Sequence, residues 1–143
     1  MQICKMKKSD ATELEALDRE CFSVPWSEAS FVEEAENDLA TYYVCKDEDK
    51  IVAYGGYWKV YDEGQITNIA VLPQYRKRKI ASRLLERIIA DCNEYNRIIL
   101  EVRESNIPAI CLYEKYGFKK VGIRKNFYHS PTENGITMIR GEI

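Results

Sequence analysis

The chain is poor in the residues that staple or break a fold. It has one histidine, His129, with seven glycines and four prolines in 143 residues. Its five cysteines (Cys4, Cys21, Cys45, Cys92, Cys111) are odd in number and scattered, without a Cys-x-x-Cys pair. That pattern argues against a disulfide framework and against a Cys/His zinc site, and no metal is expected. Reduced, partly buried thiols in a cytoplasmic protein are the expectation. Long apolar runs are missing too. The longest is five residues, Ala109 to Tyr113, against roughly 20 for a membrane-spanning helix. Met1 to Lys8 carries charge with no apolar stretch behind it, so no secretory signal is legible. An excess of one charge sign is also absent. Twenty-one basic and 23 acidic residues leave a net charge of −2, which argues against general attraction to nucleic acid or an anionic membrane.

What is present suits a single domain spanning residues 1–143. A chain of this length buries about 70% of the surface that its unfolded form exposes, so its core needs no covalent support. No internal repeat or linker interrupts it. Charge is uneven locally: Ser9 to Asp38 holds ten acids and one base, Arg19, whereas Arg76-Lys77-Arg78-Lys79 is four bases in a row.

Periodicity gives the order βααβββαβαββ. Gln2 to Met6 alternates as a first strand. Ser9 or Asp10 caps a helix with Leu14, Leu17 and Cys21 on one side. Pro25 interrupts, and Ser27 restarts a helix with Phe31, Val32 and Ala35 inward. Thr41 to Cys45 and Ile51 to Val60 form a hairpin around a polar loop of about five residues, Lys46 to Lys50. A strand from Gln65 to Val71 leads to an amphipathic helix built on Ile80, Leu84, Leu85, Ile88, Ile89 and Cys92. Arg97 to Val102 is a strand and Ile107 to Tyr116 a helix closed by Gly117. Phe118 to Ile123 and Ile136 to Arg140 are the last strands. Helices falling between strands of a mixed sheet make the class α/β or α+β.

Two places could carry chemistry. A strand that feeds a helix through a short basic loop is an anion site, because orphan backbone N–H groups and the helix dipole point outward there. Arg76 to Lys79 would add charge-assisted donors; a solvated patch is the competing reading of a four-base run, and its place at a strand–helix junction argues against that. The second place is Glu101, set inside the apolar strand Ile98-Ile99-Leu100-Glu101-Val102, where a carboxylate is expensive unless used or paired. Tyr113, one helix later, could face the same cleft. Against that stand an edge-strand charge in water for Glu101 and an ordinary core tyrosine for Tyr113.

At this point a resemblance enters. Asn68-Ile69-Ala70-Val71, Pro73 and Arg76-Lys77-Arg78-Lys79-Ile80-Ala81 resemble the acetyl-CoA signature Arg/Gln-x-x-Gly-x-Gly/Ala of the GCN5-related N-acetyltransferases (GNAT). Leu100-Glu101-Val102-Arg103-x-Ser105-Asn106, with Ala109, Leu112, Tyr113, Gly117 and Phe118, is similar to the second half of that fold. Pro25-Trp26-Ser27 and Arg124 to Tyr128 look most like the RimI-type ribosomal-protein alanine N-acetyltransferases. The resemblance covers nearly the whole chain. It implies one acetyltransferase domain, a mixed central sheet flanked by helices whose two middle strands splay apart.

The resemblance also implies roles. Acetyl-CoA is the cosubstrate, and the acceptor is a protein or peptide N-terminus, first of all the N-terminal alanine of a small-subunit ribosomal protein. Glu101 is the implied base and Tyr113 the implied acid. Ile69, Ala70, Val71, Arg76, Lys77, Arg78, Lys79, Ile80, Ala81, Ser82 and Asn106 are implied cofactor contacts. Trp26 and Tyr128 are expected in the peptide groove, with core packing the competing reading for each. His129 reads as a surface loop residue. One position departs from the family pattern: Lys79 stands where the first loop glycine belongs. It keeps its N–H donor and adds a cation, but its Cβ crowds the phosphate side, so weaker rather than lost cofactor binding is expected. A lysine side chain or small amine as acceptor, or a non-catalytic CoA-binding module, are the alternatives. A nucleic-acid module lacks aromatic interleaving and global basic charge.

Overall fold

A computed structural model describes residues 1–143. Seven strands form one mixed sheet: β1 (Gln2–Lys5), β2 (Ala40–Asp47), β3 (Lys50–Val60), β4 (Glu63–Val71), β5 (Arg97–Arg103), β6 (Lys119–Tyr128) and β7 (Glu133–Gly141). Four α-helices accompany them: α1 (Ala11–Cys21), α2 (Glu28–Glu36), α3 (Ile80–Asp91) and α4 (Ile107–Lys115). Spatial order is β1-β2-β3-β4-β5-β7-β6. Only β4 and β5 run parallel, as they must when α3 makes the crossover between them. The element order and the mixed α/β class agree with the sequence reading. No helix is long and apolar enough to cross a membrane.

The helices lie on both faces. The Tyr54 ring meets Phe31 of α2 edge-on at 5.4 Å, whereas a Cβ at the next residue, Gly55, would lie 3.7 Å from Leu84 of α3. Consecutive residues of a strand face opposite ways, so α1 and α2 cover one side and α3 the other. Strand β3 is consequently buried from Ile51 to Tyr57. Ile80, Leu84, Leu85 and Ile88 give α3 its inner stripe, each worth about 1.5–3 kcal/mol of burial.

Local chemistry explains the breaks. Ser27 caps α2, its hydroxyl accepting the Ser30 N–H at 3.1 Å. Helix α4 ends in a Schellman motif: Gly117, at φ +90°, donates to the Glu114 carbonyl, and Phe118 donates to that of Tyr113. The Tyr113 and Phe118 rings pack at 5.7 Å, supplying the apolar contact that goes with this ending.

Three expectations need correction. The β2–β3 loop is two residues, Glu48–Asp49, because Lys46, Asp47 and Lys50 continue the ladder. Neither Ser9 nor Asp10 caps α1 through its side chain. Asp10 sits at the capping position, but it closes a short 3₁₀ turn, Lys8–Asp10, and its carboxylate accepts the Lys7 N–H at 2.8 Å. The junction between β4 and α3 is also no short loop. It spans residues 72–79 and includes a 3₁₀ turn over Pro73–Tyr75. The thiols are unpaired, with Cys45 and Cys92 buried and Cys111 exposed.

Candidate active site

The sheet opens at its middle. β4 and β5 pair only at Glu63–Arg97, Gly64–Ile98 and Gln65–Ile99. Beyond Gln65 the two strands part, and the gap widens into a cleft of about 840 Å³, a size usual for small-molecule sites. β5 stays fully paired with β7 on its other side, so the parting leaves one free backbone edge on each wall.

A bulge shapes the β4 wall. Gly56 pairs with Asn68 and Tyr57 with Ile66, leaving Thr67 as the extra residue. Thr67 and Asn68 then both point to the α1–α2 side. Thr67 bonds the Tyr42 hydroxyl at 2.8 Å and Asn68 donates to the Tyr54 hydroxyl at 2.9 Å. Gly56 is required beneath Tyr42, because a Cβ there would lie 2.0 Å from the ring.

The β5 wall alternates without a break. Ile98, Leu100 and Val102 are buried with α3 and α4, so Ile99, Glu101 and Arg103 project to the opposite side. Glu101 is a quarter exposed and stands 3.9 Å from the Arg124 guanidinium, which itself covers the Phe127 ring. Tyr113 reaches the cleft from α4 and is 8% exposed. Burial pushes its hydroxyl well above the ordinary tyrosine range, with Tyr128 adding to the shift. Trp26, Ile69, Asn106 and Tyr128 line the same cleft. Asn106 also caps α4, its side-chain oxygen accepting the Ala109 N–H at 3.3 Å. Trp26 packs at 5.4 Å from Phe31, so it belongs both to the core and to the cleft rim.

The other residues expected at the cofactor are not among those lining this cleft. The side chains of Ala70, Val71 and Ile80 are buried in the core. Arg76 folds back, its Nε donating to the Val71 carbonyl at 3.0 Å, and Arg78 covers the Tyr75 ring at 5.0 Å. Lys77 and Lys79 are both left-handed, at φ +65° and +63°, and Lys79 is the N-terminal boundary of α3. A left-handed backbone at Lys79 is what a glycine would hold without a steric cost. Ala81 and Ser82 occupy the first turn of α3, half-buried. His129 is exposed in the β6–β7 connection and reaches the cleft rim.

One feature of the cleft floor is absent from the sequence reading. Asp18 is fully buried; its carboxylate accepts the Tyr54 hydroxyl at 2.6 Å and the Trp26 N–H at 2.8 Å. Burial raises its proton affinity, and those two hydrogen bonds oppose the shift. The signal was available, since Asp18 follows Leu14 by four residues and precedes Cys21 by three on the inward stripe. Arg103 also lines the cleft, and its sequence motif assigns it no role.

Known proteins agree with this geometry. The acetyltransferase (GNAT) family profile matches residues 11–118. A relative from Bacillus subtilis (strain 168) is 38% identical over 136 residues, 93% of this chain and 90% of its own length. The [ribosomal protein bS18]-alanine N-acetyltransferase of Escherichia coli (strain K12) is 31% identical over 135 residues, 93% of this chain and 89% of that one. The crystal structure of the ribosomal-protein-S18-alanine N-acetyltransferase from Escherichia coli superposes with a TM-score of 0.90 at 28% identity, covering 99% and 95% of the two chains. The splayed sheet, the cleft and these relatives lead to one conclusion: the chain belongs to the GNAT family and is an N-acetyltransferase.

Proposed function

We propose that the chain transfers the acetyl group of acetyl-CoA directly to a protein N-terminal α-amine, that of an N-terminal alanine on a small-subunit ribosomal protein. The observation that carries this reading is the parted sheet, with Glu101 facing the gap from one side and Tyr113 from the other. The names of the Escherichia coli relatives support the acceptor. Acetyl-CoA suits the residues present: an extended amide chain can add to the free edge of β4, and the start of α3 offers unpaired N–H groups and Lys79 to its phosphates. Bound there, it supplies an activated acyl group with a thiolate as leaving group.

The acceptor amine must be neutral to attack. At pH 7 roughly 10–15% of α-amines are neutral, against about 0.04% of lysines, a difference of about 3.5 kcal/mol in favour of an N-terminus. The amine nitrogen bonds the thioester carbonyl carbon, and the carbon–sulfur bond breaks. Glu101 takes the proton that the nitrogen releases, directly or through water. Tyr113 gives its proton to the departing sulfur. From reference values that donation is uphill by about 2 kcal/mol. The burial that raises Tyr113 disfavours a thiolate in the same place, so the two shifts offset. Trp26 and Tyr128 form the acceptor's apolar walls.

A peptide panel tests the acceptor. Peptides beginning with alanine are expected to gain one acetyl group at the α-nitrogen, located by tandem mass spectrometry. Acetylation of internal lysines with the α-amine untouched would overturn the reading. Run beside the wild type, Lys79→Gly is expected to bind acetyl-CoA about three- to tenfold tighter, or ~0.7–1.4 kcal/mol, because backbone can then approach the phosphates. Stability is expected to rise slightly, by up to about 1.5 kcal/mol. Relief of a left-handed lysine, about 1–2 kcal/mol, is only partly offset by about 0.5–1 kcal/mol of glycine chain entropy. Calorimetry and a melting curve check both, and unchanged or weaker binding would remove crowding as the explanation.

A further inference from the structure

Tyr128, the last residue of β6, lines the cleft, and the connection to β7 that follows it is exposed and polar. One side chain ties it down. Arg103, the last residue of β5, donates from Nη1 to the Pro131 carbonyl at 3.0 Å and to Glu133 Oε1 at 3.1 Å. Its Nη2 donates to the His129 carbonyl at 2.9 Å. The guanidinium carbon also lies over the Tyr128 ring, 4.6 Å from the centroid. Glu133 serves twice, because its other oxygen accepts the Ser105 N–H at 2.6 Å. The turn leaving β5 and the turn entering β7 are thus held by one arginine–glutamate pair.

Placement gives this clasp a consequence for the reaction. Glu101 and Arg103 are two residues apart on β5, so they stand on the same side of the sheet. Tyr128 lies within electrostatic reach of Glu101: burial first, and then the Glu101 charge, push its hydroxyl up to about 12. A wall of the acceptor site is therefore fixed from the same strand that carries the proposed base.

We propose that Arg103 is the positioning residue of the acceptor site, clasping residues 128–133 so that the Tyr128 ring forms a fixed wall beside Glu101. The inference rests on the acyl-transfer reading of the cleft given above. An arginine is needed because three acceptors diverge around a planar fork whose central carbon also sits over a ring. A lysine ammonium supplies the charge but neither the fork nor the stacking face. Arg103 touches neither reacting atom; it acts through Tyr128.

The test uses the full chain with Arg103→Lys, Arg103→Ala and Glu133→Gln. The acceptor KM is expected to rise about tenfold in Arg103→Lys and further in Arg103→Ala, with kcat and the acetyl-CoA KM within about twofold of wild type. Glu133→Gln is expected to give a smaller rise, about threefold, because the two carbonyl bonds to Arg103 survive. Amide hydrogen exchange is expected to quicken in residues 128–134 alone. A merely structural role predicts a different signature: a lower melting temperature and lower kcat from fewer folded molecules, with both KM values unchanged. That result, or an unaltered acceptor KM in Arg103→Lys, overturns the proposal. If Arg103→Ala fails to fold, the other two variants still decide. The acceptor used is whichever amine the wild type acetylates. A lysine acceptor would therefore defeat the α-amine reading while leaving the KM split to be read. A wild type inert on every amine overturns both.

Discussion

Glu101→Gln is expected to lower kcat at neutral pH by about 10²–10³-fold, with acetyl-CoA affinity within about twofold of wild type. The substitution keeps the shape of the side chain and removes its capacity to hold a proton. Its neighbours tolerate it. Glu101 pairs across the ladder with Thr137, and its single ionic partner is Arg124 at 3.9 Å, more than half exposed. A pair that open contributes at most about 1 kcal/mol, so the variant is expected to fold normally and any loss of rate is chemical. The deficit is expected to narrow as pH rises from about 7 to about 9, when solvent hydroxide can accept the proton that glutamine cannot. Stopped assays across that range, with melting curves as the control, check both. Full activity in Glu101→Gln would pass the role of base to water or to another group.

How much of this was legible beforehand depends on the range of the interaction involved. The order of elements was readable because each has its own periodicity, as in α3, where Ile80, Leu84, Leu85 and Ile88 are all buried. Strand lengths were less so. β6 continues to Tyr128 although its side chains are exposed almost throughout, and no alternation of apolar residues marks its outer half. The β2–β3 turn was misjudged for a similar reason. Polar residues at the tip of a hairpin look like loop, and Glu48 takes a φ of +57° that its side chain does not favour. Glu101 was conspicuous as one carboxylate in an apolar strand. Arg103 was not, since its partners lie 26 to 30 residues away in a segment without a pattern. The Asp18–Tyr54–Asn68 chain was hidden similarly, being assembled from a helix and two strands by tertiary packing. Family resemblance located the loop at Lys79, but only the backbone shows that lysine there is left-handed, a conformation that glycine holds without steric cost.

Tyr113→Phe is expected to lower kcat by about 10²-fold while leaving stability unchanged or slightly higher. The asymmetry between those two effects is what makes the variant informative. The Tyr113 hydroxyl faces the cleft without a hydrogen bond to the protein, so its removal strands no donor or acceptor. The ring keeps its place against Phe118 at 5.7 Å, and the Schellman ending of α4 is backbone chemistry that phenylalanine preserves. By contrast Tyr113→Ala would open a cavity at a site 8% exposed and cost about 3–5 kcal/mol, confusing folding with function. The pH profile adds an independent check. Burial holds the Tyr113 hydroxyl above its ordinary value near 10, so it keeps its proton through the whole range in which the acceptor amine, near 7.8, becomes neutral. Wild-type activity should therefore rise through the amine titration and show no fall from tyrosine ionisation below about pH 10. Tyr113→Phe should retain that rising limb at a lower level, since the amine and Glu101 are untouched. A wild-type fall near pH 9 that disappears in Tyr113→Phe would show that the proton is needed but that burial does not hold it as tightly as the fold implies. Wild-type kcat in Tyr113→Phe would instead remove the hydroxyl as the acid that meets the leaving sulfur.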